Sequence, residues 1–459
     1  MIPFSLNIFP KTRGAYIIGG SIRDILLGRT PSDYDIAVEG NPEEFAQEMA
    51  SKKAGRVVEM GKTGQKIFRV ILDQNIFDIA SLNGVNIEND LKQRDFTINA
   101  MAYALSSGEI VDCVGGLQDL ADRKIRMVSK AIFKKDPIRL IRAYRMSSYL
   151  EFDIEQHTVA AIKNEAEQIK HSAGERIRAE FFKILGMEKS YDYLSQMAET
   201  ELLTAIFPEL SRLKGCIQNV HHIHDAFEHT MKAYQHLETI MNDFGSYIPD
   251  ISIHLHQDMD DTNTVLLKCA ILLHDIGKPW VKTIDNNGHT HFYGHAKKSA
   301  DMAQKISQRL SFSTREMRFV DFIIRNHMKP QFLFTAHQKK TIKRSGLTRF
   351  FIKCRGNSPY LLLHAMADIK AKRVGKTKTD PAFISFIKES MYDFYNHFKP
   401  KSEKPRLVTG YDLTHVFALT PSPLFKTILN LIEEARLTNR IHDREEALNL
   451  VKEFLNNRM

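Results

Sequence analysis

The stretch "YIIGGSIRDILLGRTPSDYDIAVEG", residues 16–40, constrains this chain more than any other. Its apolar runs and double glycine predict a strand at "AYIIGG", a tight turn, a helix at "SIRDILLG" and a second strand at "DYDIAV". Residues i and i+2 of a strand share a face, so Asp33 and Asp35 present two carboxylates side by side. Like charges that close raise each other's pKa, and a divalent cation removes the conflict. Mg²⁺ prefers such oxygen ligands. Gly19 and Gly20 let the backbone approach a phosphate, with the free N–H groups of the next helix turned toward it. Arg23 and Asp24 then shape the triphosphate end. Phosphates beside two Mg²⁺-binding carboxylates describe nucleotidyl transfer with two metal ions. Asp78, in "FDIA" on a neighbouring strand, is the candidate third carboxylate. Alone, a GG pair is a turn and a DxD pair is a common surface feature. Their order on strand, turn, helix and strand carries the reading.

Residues 14–125 mix strands with helices. "NPEEFAQEMASKK" predicts a helix capped by Asn41 with Pro42 at its first position. "FRVILDQNIFDIAS" predicts a hairpin turning at Asp73, Gln74 and Asn75. From about residue 134 apolar residues recur at helical spacing almost to the end. The fold class is an α+β head, a small mixed sheet with helices, followed by a mostly α-helical body. The expected domains are 1–125, 126–210 (a helical neck), 211–398 and a tail at 399–459. The polar stretches at 373–381 and 399–406 are the expected loops or linkers. A net charge of +9 suits a polyanion, most often nucleic acid. The four cysteines form no CxxC pair, which fits a reducing cytoplasm and argues against a disulfide frame or zinc knuckle. No apolar run is long enough to span a bilayer or form a signal peptide, so a cytoplasmic protein without a membrane partner is expected.

"GGSIRDILLGRTPSDYD" resembles the first motif of the class II tRNA nucleotidyltransferases and the related bacterial poly(A) polymerases, members of the polymerase β-like superfamily. Four further motifs follow in order: "RDFTINAMAY" (94–103), "DCVGGLQDL" (112–120), "KDPIRLIRAYR" (135–145) and "ERIRAEFFKIL" (175–185). Arg94, Asp95 and Asn99 can bond a ribose or triphosphate, and the resemblance places the second motif at the ribose. In the fourth motif Asp136 is expected to cap a helix with Pro137 at its first position. Arg139, Arg142 and Arg145 recur every three residues as a basic stripe. An acid and a fork-shaped cation can pair with a base edge. The resemblance gives that role to Asp136 and Arg139, selecting CTP and ATP without a nucleic-acid template. It implies an enzyme that extends tRNA 3′ ends, with the RNA recognised by shape and backbone charge.

Three departures from the family pattern stand out. The second motif has Gln93 where a first arginine is usual, and the fourth begins with Lys135 in place of glutamate. Only "IASLNGVNIEN" separates Asp78 from Asp90, where enzymes that add all of C, C and A carry a longer flexible loop. Within the family a missing loop goes with enzymes that add C and C and leave the A to a partner. CCA addition and CC addition both stand at this point.

A second constellation lies further on, in "DAFEHTMKAYQHL", "ILLHDIGKPW", "HFYGHAKKSA", "IIRNHMKP" and "LLLHAMADIKA". A His-Asp pair ending an apolar helix is costly to bury without a partner. His229, His274, Asp275 and Asp368 resemble the ligand set of the HD phosphohydrolase superfamily, and His295 and His327 the extra ligands of its two-metal members. Imidazole with carboxylate suits Mn²⁺, Fe²⁺ or Ni²⁺. Lys278 could meet a phosphate, while His221, His222, His224, His254, His256 and His289 read as surface residues. Some CCA-adding enzymes carry such a domain with 2′,3′-cyclic phosphodiesterase and phosphatase activity. "KKTIKRSGLTRFFIKCR" interleaves basic residues with Phe350 and Phe351, either along an RNA backbone or as an amphipathic helix. The rivals are a poly(A) polymerase on the same head and an HD phosphohydrolase with a non-catalytic RNA-binding head.

Overall fold

The structure, a computed structural model, describes residues 6–12, 14–62, 65–217, 225–341, 344–372 and 379–457. The chain divides into two compact units, Met1–Ile206 and Phe207–Met459.

The first unit is built on a seven-stranded sheet. Its strands are β1 (Ala15–Ile18), β2 (Tyr34–Val38), β3 (Arg56–Lys62), β4 (Gln65–Leu72), β5 (Asn75–Ser81), β6 (Met101–Ala104) and β7 (Ile110–Asp112), in the order β3-β4-β5-β2-β1-β6-β7. Only β2 and β5 pair in parallel, and the other neighbours are antiparallel, so the sheet is mixed. Helix α1 (Gly20–Leu26) fills the turn from β1 to β2. Helix α2 (Pro42–Ser51) begins as expected, with the Asn41 side chain accepting from the Glu43 N–H. Its apolar face, Phe45, Ala46 and Met49, is buried together with Val70, Phe77 and Ile79 of the sheet. Burying one such side chain is worth about 1.5–3 kcal/mol. The short α3 (Ile87–Leu91) precedes β6, and beyond β7 the unit turns mostly helical, with α4 (Arg139–Leu150) packed on α5 (Gly174–Leu185).

The hairpin of β4 and β5 is tighter than expected. Leu72 faces Asn75 in the ladder, so Asn75 belongs to β5 and the turn is Asp73–Gln74, with Asp73 at a φ of 55°. Strand β3 has no counterpart in the sequence reading. It is an edge strand of the sheet, paired with β4, and its residues alternate only weakly between apolar and polar.

Among the described residues the second unit is helical apart from a two-stranded hairpin. Helices α6 (Ala226–Asn242), α7 (Asp261–Leu273), α8 (His295–Arg309), α9 (Thr314–Asn326) and α10 (Ser358–Ala371) pack on one another. A separate apolar cluster, including Leu413, Ile428, Ile432 and Val451, gathers the last helices. Two linker expectations change. Lys399–Ser402 is helical and follows a π-helical turn at Phe394–Phe398, because Pro400 stands in a first turn where its missing N–H costs nothing. Of 373–381, residues 373–378 lie outside the described residues and Thr379 opens a helix. Phe350 and Phe351 are buried, and Phe351 packs on Phe394 and Phe398, so neither ring is free to stack on a base. His254, His256 and His289 are exposed, whereas His221, His222 and His224 lie outside the described residues. Among the described residues no helix is long and apolar enough to cross a membrane.

Candidate functional site

Strand alternation puts Asp33 and Asp35 on the open side of the sheet while Tyr34 between them is buried. Asp33 stands one residue before β2, and Asp35 is its second residue. The parallel register sets Asp35 directly beside Asp78. Burial, Asp33 and Asp78 together push the Asp35 carboxyl up, against the pull of Arg94. The conflict expected from the sequence is therefore present, and a hard divalent cation is what would relieve it.

Asp78 is not idle. Arg69, opposite it across the hairpin, grips both its oxygens at 2.7 Å. The pairing was within reach of the sequence: residues equidistant from a two-residue turn face each other, and 69 and 78 are such a pair about Asp73–Gln74.

The glycine turn has a specific use. Gly19 has a φ of 74° and a ψ of −137°, a region essentially closed to other residues. A Cβ there would stand 2.8 Å from an Arg94 guanidinium nitrogen and 3.6 Å from an Asp35 carboxylate oxygen. The bare backbone thus leaves space for Arg94 beside the carboxylates. The Gly19 N–H is taken by the Met101 carbonyl, so it is not a free phosphate donor. Gly20 opens α1 with the Arg23 side chain close to it. Arg23 is buried, bonded through Nε to Asp24 at 2.9 Å and through Nη1 to Asn99 at 2.6 Å. This pair ties α1 to the second motif from behind.

Ser21 was not singled out by the sequence reading. Its buried hydroxyl donates to the Asp33 carbonyl and accepts from the Asp35 N–H, both at 3.2 Å. It fixes the start of β2 and thereby the carboxylate pair. Ser21→Ala should cost about 1–3 kcal/mol, since both backbone groups lose a partner. A denaturant midpoint together with single-turnover kinetics would show a rate loss of roughly tenfold beside it.

Asp95 is buried and held by the Phe96 N–H, the Asn99 amide and Arg142 at 2.7 Å. Burial would raise its pKa, but Arg142, these hydrogen bonds and Arg139 outweigh it and keep the group ionised. Arg145 pairs with Glu180 at 2.5 Å, so two of the three stripe arginines already have carboxylates. Arg139 reaches the Arg94 carbonyl at 3.4 Å. Asp136 does not cap a helix. It terminates Ile132–Lys135, α4 starts at Arg139 with Ile138 as its cap, and Pro137 lies in the turn between. The Asp136 carboxylate instead receives two hydrogen bonds from Arg176 of the fifth motif, at 3.0 and 2.8 Å. The connection from β5 to α3 is only residues 82–86. It is stapled by Asp90 accepting from the Asn83 N–H and by Gln93 donating to the Asn83 carbonyl.

In the second unit the ligand candidates converge from five helices. His229 comes from α6, His274 and Asp275 from the end of α7, His295 opens α8, His327 follows α9, and Asp368 lies on α10. They form two triads, His229–His274–Asp368 and Asp275–His295–His327, each with ligand atoms within 4.8 Å of one another. Asp275, of the second triad, also faces the first. One oxygen lies 3.2 Å from His274 and 3.8 Å from His229, and the other 3.5 Å from His295. Each of His274, His295 and His327 turns Nδ1 to the carbonyl three residues before it, at 2.7–2.9 Å, which directs Nε2 inward. Gly277 allows the turn after Asp275 to touch α8, where a Cβ would lie 2.6 Å from the Ser299 nitrogen. Lys278 sits 2.6 Å from Asp275. Burial would raise the pKa of Asp275, but His274 and Lys278 dominate and hold it well below the carboxylate range. Burial would lower His274, but Asp275 and Asp368 lift it to about 9. Buried carboxylates facing inward imidazoles fit a divalent transition metal by donor chemistry. His364, on α10 between the triads, was missed, because a lone histidine in an apolar helix reads as core.

Comparison with known proteins agrees with this architecture. The poly(A) polymerase head domain matches residues 15–86 and 81–126, the probable RNA- and SrmB-binding site of polymerase A matches 151–214, and the HD domain matches 226–343. A CC-adding tRNA nucleotidyltransferase of Synechocystis is 27% identical over 99% of this chain and 96% of its own. An A-adding tRNA nucleotidyltransferase of Deinococcus radiodurans is 28% identical over 97% and 96%. A multifunctional CCA protein of Aromatoleum aromaticum is 30% identical over 64% of this chain and 70% of its own. Among solved structures, the Thermotoga maritima CCA-adding enzyme complexed with tRNA superposes with a TM-score of 0.61 at 21% identity, over 96% of this chain and 91% of that one.

Proposed function

The chain belongs to the tRNA nucleotidyltransferase family whose members add CC, A or CCA, and from that premise we propose that it adds two CMP residues to the tRNA 3′ end and stops. The observation that carries this reading is the pairing of an Asp33–Asp35–Asp78 cluster with a β5–α3 connection of residues 82–86. The tRNA 3′ hydroxyl attacks the α-phosphate of CTP, and pyrophosphate leaves. Asp33 and Asp35 would hold Mg²⁺, which when bound supplies the charge that activates the hydroxyl and neutralises the triphosphate. Asp78, paired with Arg69 in the structure, would complete the set. Arg94 stands over Gly19 beside the same carboxylates. Asp95 and Asn99 line the ribose, and Asp136 with Arg139 reads the base edge, Arg176 fixing the Asp136 plane. The net charge of +9 serves the RNA backbone. The protein is cytoplasmic on this reading.

In the second unit the two triads would hold a pair of transition-metal ions, Mn²⁺, Fe²⁺ or Ni²⁺, for phosphohydrolysis at damaged RNA ends. Asp275 would serve both triads, and Lys278, 2.6 Å from it, balances its charge and would be placed to meet a phosphate.

The test is a tRNA lacking its CCA end, offered each NTP singly and then CTP with ATP. Growth should stop at two C residues, and a tRNA ending in CC should gain no A. Addition of A to that substrate overturns the CC reading. Long A tracts from ATP alone favour a poly(A) polymerase, and no addition with hydrolysis intact favours a non-catalytic head.

A further inference from the structure

We propose that His364 is a seventh ligand of the centre in the second unit, completing the His229–His274–Asp368 half; this rests on reading that centre as a metal site. His364 stands four residues before Asp368 on α10, so the two share a helix face. Its side chain is fully buried, and neither ring nitrogen has a hydrogen-bond partner. A buried polar group left so is rare, because each unmade bond costs free energy. The ring also lacks the Nδ1–carbonyl bond that His274, His295 and His327 make.

Its surroundings supply a reason. The ring centroid lies 5.0 Å from that of His274 and 5.4 Å from that of His327. Two imidazoles bound to one ion through bonds of about 2.1 Å, at angles between square and tetrahedral, have centroids roughly 4.6–5.3 Å apart. The His274–His364 pair falls inside that range, as do His274–His327 at 5.2 Å and His295–His327 at 5.1 Å, so His364 is packed into the histidine cluster as closely as its other members, while His229 and His274 stand wider at 5.9 Å. The titratable groups around His364 are His274, Asp368, Asp275 and His229, together with His327 of the other triad. A cation would take up the lone pair of a His364 ring nitrogen, for which the described residues show no other partner.

The assignment makes the two halves unequal. One would offer three imidazoles and the carboxylates of Asp368 and Asp275, leaving little room for water. The other, Asp275–His295–His327, offers three protein ligands and would keep positions open for phosphate oxygens and water. A nitrogen-rich set favours the later divalent ions, Ni²⁺ and Co²⁺, over Mn²⁺ in the closed half.

The experiment uses the full chain, stripped with a chelator and titrated with Co²⁺, followed by visible absorption and by calorimetry. Wild type should bind two ions in two steps. His364→Leu should weaken the tighter step by about tenfold or more and change its absorption bands. Its metal-free melting temperature should be no lower than wild type, because an apolar side chain replaces an unpartnered imidazole. His364→Gln, which keeps a polar group, should show the same weakened step if the leucine variant fails to fold. Unchanged affinity and bands in either folded variant overturn the assignment. Absence of Co²⁺ binding by wild type overturns instead the metal reading beneath it, and a His274→Ala control that loses binding while His364→Leu keeps it rejects the seventh ligand alone.

Discussion

Asp35→Asn should lower the rate of CMP addition by about 10³-fold or more while leaving the fold intact. Several kcal/mol of transition-state charge stabilisation pass through the carboxylates, and each 1.36 kcal/mol is tenfold in rate. Asparagine keeps the shape of Asp35 and its backbone bond to Ser21 but removes the charge. Stability gives the control. Burial and the neighbouring Asp33 and Asp78 raise the pKa of Asp35 in the folded state. An acid with a raised folded-state pKa destabilises the fold once it is ionised, above that pKa, and the penalty vanishes as pH falls below the unfolded value. At neutral pH the neutral variant should therefore unfold at the same or a higher denaturant concentration. Single-turnover addition to a tRNA lacking CCA, beside a denaturation curve, separates the two effects. A variant within tenfold of wild type would remove Asp35 from the catalytic machinery.

The parts of the molecule that could be read from sequence are those where local pattern decides. Alternation around Tyr34 placed Asp33 and Asp35 on one side, and Asn41 with Pro42 announced α2. The histidines and aspartates of the second unit came together from five helices because each stands at a helix end or on an inward face. What stayed hidden was decided by partners distant in the chain. Asp136 looked like a cap because Pro137 follows it, yet its carboxylate belongs to Arg176, forty positions on. Arg142 and Arg145 read as part of a nucleotide-binding basic stripe, but in the fold they pair with Asp95 and Glu180. Arg69 could have been found by counting back from the hairpin turn. His364 could not, since only the missing hydrogen bonds distinguish it from a packed histidine.

The largest effect on the second unit should come from Asp275→Asn. Asp275, of the second triad, also faces the first, through one oxygen to His274 and His229 and through the other to His295. An amide cannot serve two cations in that way, so both metal-binding steps should weaken, and hydrolysis of a 2′,3′-cyclic nucleotide should fall by about 10³-fold. The metal-free protein should also suffer. Lys278, buried and 2.6 Å from Asp275, would lose its counter-charge, a change that costs about 3–5 kcal/mol in a closed setting. The pKa of Asp275 is depressed, so its contribution is present above the ordinary carboxylate range and is lost as pH falls through the folded-state value. At neutral pH the variant should unfold earlier than wild type, and toward acid the two should converge. Asp275→Asn combined with Lys278→Met removes both charges and should recover much of the lost stability without recovering hydrolysis. CMP addition, whose residues all lie in the first unit, should stay within a few-fold of wild type in both variants. Hydrolysis that survives in the folded double variant would show that the shared carboxylate does not hold the reacting centre together.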